Sequence, residues 1–176
     1  MTPDDIRVKF ADLWEVASED LQCFLDSASE IDIPAKTRII APNKESKTLY
    51  LIYSGLVRVS LETEGLSTVL GELGSGQWFG ETGVIEPAVS IASVTAVEDC
   101  TVLTVSHDEF MAMRRQCPAL TSTLLQLFSS NLTDRLRSTI QFIDTGVTGA
   151  PDKDAGNRWY AEVAKHIVGL VARTGA

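Results

Sequence analysis

Basic residues are absent from a long central part of this chain. No Lys or Arg occurs between Val59 and Met113, although the whole chain of 176 residues contains 15 of them beside 24 acidic residues. The formal net charge is −9. Because nucleic-acid binding takes much of its affinity from clustered Lys and Arg side chains, this composition argues against a nucleic acid as the partner.

Histidine and cysteine are also scarce. His107 and His166 are the only histidines, too few for a metal site of several converging His and carboxylate ligands and too distant in sequence to argue a catalytic triad. We therefore expect no metal site and no enzymatic activity. Cys23, Cys100 and Cys117 are odd in number and lack CxxC spacing, which favours buried thiols over a disulfide framework.

Long hydrophobic runs are missing as well. No apolar run approaches the roughly 20 residues that a membrane-spanning helix needs. The N-terminus from Met1 to Asp5 is acidic, whereas a secretion signal begins with basic residues. These features predict a cytoplasmic protein without a membrane partner.

The chain begins with a helical pattern and then changes to short strands. Thr2 to Asp5 has the form of a capping box with Pro3 at the first helical position, and Ser18 is expected to cap a second short helix. Between Glu30 and Val105, β-rich runs separated by turn signals predict an antiparallel sandwich or roll, and hence an α+β fold. The predicted strands are 38–41, 48–53, 56–61, 67–73, 91–96 and 101–105.

After Ser106 the helical period returns. A short helix is expected at 106–116, with His107 helping to cap it, and Pro118 opens a long helix that ends near Ile143. Apolar residues form two stripes on the long helix, either because both pack into the core of the same chain or because one forms a dimer seam; we predict a homodimer through 118–143. The stripes are Leu125, Phe128, Leu132, Leu136, Ile140 and Ile143, and Leu120, Leu124 and Leu127.

The last part of the chain reads as a linker followed by another helix. Residues 144–157 are rich in Gly and polar residues, which is typical of a flexible linker. Residues 158–176 carry one apolar face and are expected to pack on the roll of the same chain or of its partner. The expected organisation is therefore a domain at 1–143, a linker at 144–157 and an amphipathic helix at 158–176.

A set of motifs carries a family resemblance. They are Leu49–Gly55, Val57–Val59, Gly65, Gly74–Gly76, Phe79–Glu81, Pro118–Leu120 and Arg135–Arg137. In this order and spacing the chain resembles the cyclic nucleotide-binding domain of the catabolite activator family over roughly residues 13–143. The resemblance implies an antiparallel β-roll, or jelly roll, flanked by N-terminal helices and a long C-terminal helix.

The resemblance also implies a binding cassette that starts at Phe79–Glu81. Gly80 would let the backbone N–H approach the ligand, since it has no Cβ, and Glu81 would accept a hydrogen bond from the ribose 2′-hydroxyl of cAMP or cGMP. Backbone N–H groups at a helix start favour an anion. The alternative is that Glu81 only complements the helix dipole.

The cassette departs from the family pattern at Ser90, nine residues after Glu81. The family typically has Arg there, pairing with the cyclic phosphate, followed by Ser, Thr or Ala and then Ala; here the residues are Ser90, Ile91 and Ala92. Loss of one partner of a buried charge pair costs about 2 to 5 kcal/mol. Replacement cations to consider are Arg58, Arg135 and Arg137.

Three functional hypotheses follow. The first is a small regulatory or sensory protein that binds cAMP or cGMP weakly or not at all and acts through dimerisation and a protein partner. The second is a working cyclic nucleotide receptor whose phosphate is held by Gly80, Thr82, Ser90 and backbone N–H groups. The third is a scaffold that binds no small molecule and uses the helix at 160–171.

The 33 residues after Ile143 predict no winged helix-turn-helix within this chain. The candidate site comprises Gly80, Glu81, Thr82, Ser90 and Ile91.

Overall fold

The computed structural model of the chain describes residues 1–63 and 66–144. Its helices are α1 (Pro3–Lys9), α2 (Ser18–Ser27), α3 (Glu81–Ile85), α4 (His107–Gln116) and α5 (Pro118–Asp144), with a 3₁₀ turn at Ala11–Leu13. The strands are β1 (Ser29–Ile33), β2 (Arg38–Ile40), β3 (Glu45–Ser46), β4 (Thr48–Ser54), β5 (Leu56–Thr63), β6 (Leu66–Gly74), β7 (Trp78–Phe79), β8 (Ala88–Val89), β9 (Ala92–Ala96) and β10 (Cys100–Ser106).

The strands form an antiparallel roll, as predicted. One sheet has the order β1-β10-β4-β7, a second has the order β2-β9-β5-β6, and β3 pairs with β8. The prediction missed β1, β3, β7 and β8. Three of these contain only two residues, too few for any periodicity, and four of the five residues of β1 are exposed, which hides its alternation.

The first sheet separates two hydrophobic cores. Leu49 and Leu51 of β4 face the core formed with the helices, whereas Ile52 faces the core between the two sheets. Leu103 and Val102 of β10 divide in the same way. Because successive side chains of a strand point to opposite faces, this central sheet can be buried on both sides, which accounts for its nearly continuous apolar runs.

The helix starts confirm the capping box predicted at Thr2 and correct the cap predicted for α2. Thr2 with Asp5 and Ser106 with Glu109 form capping boxes that begin α1 and α4. The prediction that Ser18 caps α2 is wrong, because Ala17 is the N-cap residue. The Ser18 hydroxyl instead accepts a hydrogen bond from Arg7 at 2.9 Å.

The long helix α5 uses much of both apolar stripes within its own chain. Leu120, Leu124 and Phe128 are buried in the core with the other helices, and Leu125 and Leu127 pack partly against it. Leu132 is half-buried. The side chains of Leu136, Ile140 and Ile143, the predicted linker after residue 144, the predicted helix at 158–176 and His166 lie outside what the structure describes. The homodimer therefore stays a prediction.

The cysteines correct another prediction. Cys23 in α2 and Cys117 between α4 and α5 form a disulfide, with Cα atoms 6.7 Å apart. The expectation of buried thiols is therefore wrong for this pair. The two residues are 94 positions apart in sequence, and the number and spacing of cysteines do not reveal such a contact. Cys100 is a buried thiol as predicted, and burial raises its pKa.

Among the described residues, no helix is both long and apolar enough to cross a membrane.

Candidate functional site

The two-residue strand β7 joins the two cores just before the candidate site. Trp78 packs edge-on against Phe128 of α5, with ring centroids 5.8 Å apart, whereas Phe79 stacks on Tyr50 at 4.7 Å between nearly parallel rings. The burial of Tyr50 raises the pKa of its hydroxyl, and a hydrogen bond with Thr48 partly offsets this effect. The strand therefore fixes the start of α3 relative to both the roll and α5.

Gly80 has a conformation that only glycine adopts easily. It is the N-cap residue of α3 with φ of 84°, and a Cβ added there would collide with the carbonyl oxygen of Thr48. Gly83 also lies close to Ser46, since a Cβ added at Gly83 would be 2.5 Å from the carbonyl oxygen of Ser46. The two glycines let α3 lie directly on the backbone of residues 46–48.

Glu81 and Thr82, the first two residues of α3, have opposite environments. Glu81 is only 3% exposed, whereas Thr82 is exposed. A buried carboxylate is costly unless it is paired or hydrogen-bonded. The candidate sugar acceptor is thus held inside the protein, and Thr82 presents its hydroxyl to solvent.

His107 connects the end of α3 to α4. Its Nδ1 lies 2.8 Å from the carbonyl oxygen of Val84, and because a carbonyl only accepts, Nδ1 carries the hydrogen. The expectation that His107 caps α4 is wrong; Ser106 and Glu109 do so. No pattern in the sequence signals this contact, which depends on where α3 lies in the fold.

Ser90 and Ile91 lie between β8 and β9. The Ser90 hydroxyl donates to the carbonyl oxygen of Ala92 at 2.8 Å and accepts from the Ala92 N–H at 3.3 Å. The side chain of Ile91 is 80% exposed. The Ser90 hydroxyl therefore uses its single hydrogen to close its own turn.

The segment 43–48 brings these residues together. Ser90 donates its N–H to the carbonyl of Lys44 and accepts from the N–H of Asn43, both at 2.8 Å. The neighbouring strand β8 pairs with β3, while Gly80 and Gly83 of the cassette lie on Thr48 and Ser46. One segment thus supports both halves of the candidate site, the start of α3 and the turn at Ser90.

The cations around the site differ from those expected. Arg58 binds Glu72 through Nε and Nη2 at 3.0 and 2.7 Å, on the strand face opposite to buried Val57 and Val59. Sequence reasoning missed Lys44 and Lys47, whose backbones support Ser90 and His107 and whose side chains are exposed. Their nearness to Ser90 and His107 is visible only in the fold, because both lysines lie far from these residues in sequence.

Within residues 1–63 and 66–144, no group of three or more His, Cys, Asp or Glu side chains is placed so that it could hold a metal ion.

Comparison with known proteins agrees with this architecture. The family model described as "Cyclic nucleotide-binding domain" matches residues 30–117. Vfr of Pseudomonas aeruginosa, a cAMP-activated global transcriptional regulator, is 34% identical over 110 residues, which cover 60% of this chain and 50% of Vfr. The chain thus spans about half the length of the curated relatives it matches first.

Solved structures show the same fold. A cyclic nucleotide-binding domain from Methylobacillus flagellatus KT has a TM-score of 0.70 at 18% identity, covering 85% of this chain and 84% of that one. The regulatory subunit of a cAMP-independent protein kinase A from Trypanosoma brucei has a TM-score of 0.57 at 22% identity, covering 69% and 43%. At these identities, the likeness establishes the fold alone.

Proposed function

This chain belongs to the cyclic nucleotide-binding domain family, and on that premise we propose that it is a regulatory protein whose cassette binds cAMP and cGMP weakly or not at all. The family cassette needs a cation for the cyclic phosphate, and Ser90 stands where the family has Arg. The observation that carries the proposal is the Ser90 hydroxyl, whose hydrogen is committed to Ala92.

The charge distribution supports the same proposal. Arg58, the candidate replacement that lies in a strand, is paired with Glu72 on the outer face of its sheet. The interval from Val59 to Met113 supplies no other Lys or Arg. Glu81 is retained and buried, so the cassette keeps its acceptor for the ribose hydroxyl, while residues 59–113 offer no cation for the cyclic phosphate.

A structural relative provides a parallel. The Trypanosoma brucei subunit belongs to a cAMP-independent kinase, and a variant with three substitutions, one of them Thr to Arg and the next Val to Ala, was solved with cAMP in its A site. Ser90 and Ile91 are likewise a hydroxyl residue followed by an aliphatic one. This parallel motivates an arginine substitution at Ser90.

Without strong nucleotide binding, we propose that the chain acts through a homodimer and a protein partner. The described stripe residues of α5 up to Phe128 pack mainly within the chain, whereas Leu132 is only half-buried, and the proposed dimer contact includes this residue. Vfr is a transcriptional regulator, but only half of its length is matched, and nothing in the charge pattern of this chain favours DNA as the partner.

A thermal-shift measurement tests the weak binding. Adding about 1 mM cAMP or cGMP should stabilise the protein by about 0.4 kcal/mol if Kd is near-millimolar, which corresponds to a rise in Tm of about 1 °C. A micromolar site would give about 4 kcal/mol and a rise of roughly 8 to 16 °C. A rise of that size would disprove the proposal.

Sedimentation velocity tests the dimer. We expect the wild-type chain to sediment as a dimer and Leu132→Asp as a monomer, because a carboxylate buried in an apolar seam costs several kcal/mol. Ser130→Asp is the matched control, since Ser130 is exposed and should leave the dimer intact. A wild-type monomer, or a dimer unaffected by Leu132→Asp, would contradict the predicted seam.

The second candidate is a working cyclic nucleotide receptor, and Lys44 is the observation that favours it. The Ser90 N–H donates to the carbonyl oxygen of Lys44 at 2.8 Å, so the Lys44 backbone lies directly beside the Ser90 turn. An exposed ion pair is typically worth only about 0 to 1 kcal/mol. If Lys44 contributes no more than such an exposed ion pair, as the proposal of weak binding implies, Lys44→Met should weaken cAMP binding by less than about fivefold. A larger loss would support the working receptor.

A further inference from the structure

The disulfide lies at the junction between α4 and α5. Cys117 has a non-helical backbone between α4 and α5. Its N–H donates to the carbonyl of Met113 at 2.7 Å, which closes α4, and its own carbonyl accepts from the Thr121 N–H and hydroxyl at 3.1 Å, which opens α5. The position of Cys117 therefore determines where α5 begins.

Cys23 links this junction covalently to a different helix. It lies in α2, which contacts both α4 and α5, and both cysteines pack beside the helical core that contains Leu120 and Leu124. A covalent bond between α2 and the junction restrains the first turns of α5. Farther along the same helix, Phe128 contacts Trp78, two residues before Gly80.

The two disulfide cysteines are more exposed than the third cysteine. Cys23 and Cys117 are both half-buried, so each residue keeps part of its surface in contact with solvent. Cys100 differs, because it is 3% exposed and burial raises its pKa, which keeps it in the unreactive thiol form. The chain thus contains a partly exposed pair of cysteines, and the buried Cys100 serves as an internal control for thiol reactivity.

We propose that Cys23 and Cys117 form a reversible thiol–disulfide site, exchanging with small-molecule disulfides such as oxidised glutathione, that clamps the start of α5 to α2. One cysteine thiolate attacks a sulfur of oxidised glutathione, expelling a glutathione thiolate and leaving a mixed disulfide. The second cysteine thiolate attacks the protein sulfur and expels the second glutathione thiolate. Two protein thiols thereby lose two protons and two electrons, and the glutathione disulfide bond receives the electrons. This site does not depend on what the cassette binds.

The clamp has two measurable consequences for stability. A cross-link over 94 positions restrains the unfolded chain strongly, so reduction of the full chain should lower Tm by roughly 5 to 15 °C. Reduction should also release the first turns of α5, so that backbone amides 121–128 exchange hydrogen at least about tenfold faster. Cys23→Ser and Cys117→Ser should show neither response to reductant, whereas Cys100→Ala should respond like the wild type.

The experiment uses the full chain equilibrated in buffers of reduced and oxidised glutathione, with free thiols counted by maleimide labelling and mass. Under oxidising conditions we expect Cys100 as the single free thiol of the wild type, and a Tm and amide exchange that follow the redox ratio reversibly. Three free thiols, separate glutathione adducts on Cys23 and Cys117, or a bond whose reduction changes neither Tm nor exchange would each overturn the proposal. If a serine variant does not fold, the wild type and Cys100→Ala still provide all of these readouts.

Discussion

The double variant Ser90→Arg with Ile91→Ala should bind cAMP at least about 30-fold more tightly than the wild type. The expectation follows from the cost of losing one partner of a buried, hydrogen-bonded charge pair, about 2 to 5 kcal/mol, or roughly 30-fold to several-thousand-fold in affinity. Restoring the guanidinium should recover part of that range because Gly80 and the buried Glu81 are retained. Calorimetric titration of both proteins with cAMP measures the ratio of their Kd values.

The matched control for charge is Ser90→Gln with Ile91→Ala. It removes the same Ser90 hydroxyl contacts with Ala92 and adds a long polar side chain without a cation, so its affinity should stay within about threefold of the wild type. A gain in the glutamine variant equal to that in the arginine variant would show that side-chain length, not charge, limits binding. An arginine variant no tighter than the wild type would mean that the phosphate partner is not the missing element.

Gly80→Ala should destabilise the fold by about 2 to 4 kcal/mol and lower Tm by roughly 5 to 15 °C. A non-glycine residue with φ of 84° is strained, and the added Cβ would collide with the carbonyl oxygen of Thr48. Relief of the collision requires α3 to move away from β4. Thermal and urea denaturation of the variant measure the loss.

Gly74→Ala, in the neighbouring Gly74–Gly76 motif, is the matched control. Gly74 does not have a positive φ, and its added Cβ would meet Leu56 Cδ1 at an ordinary 3.7 Å. We expect a change in the free energy of unfolding within about 1 kcal/mol. Equal losses in the two variants would argue against a special role for the contact between Gly80 and Thr48.

Local patterns in the sequence predicted much of the fold. Alternation along β5, with Val57 and Val59 inward and Arg58 outward, and the capping box at Thr2 are short-range signals that survive folding unchanged. The helix start at Glu81 was implied by the family resemblance of Phe79–Glu81. The antiparallel roll and the extent of α5 were therefore predictable.

The contacts that define the candidate site were not predictable, because they join residues distant in sequence. Asn43 and Lys44 meet Ser90 across the fold, and Cys23 meets Cys117 across 94 positions. The sequence also left open how α5 divides its apolar residues; burial of Phe128 against Trp78 depends on where β7 lies. Each of these features is set by tertiary packing.

The proposal that the cassette lacks a cation for the cyclic phosphate is tested most directly by calorimetric titration of the wild-type chain with cAMP. The missing guanidinium predicts a Kd weaker than about 30 μM, since a micromolar cassette loses about 30-fold to several-thousand-fold in affinity without it. A Kd tighter than about 10 μM would contradict the proposal, because binding of that strength requires a phosphate partner that replaces the family arginine.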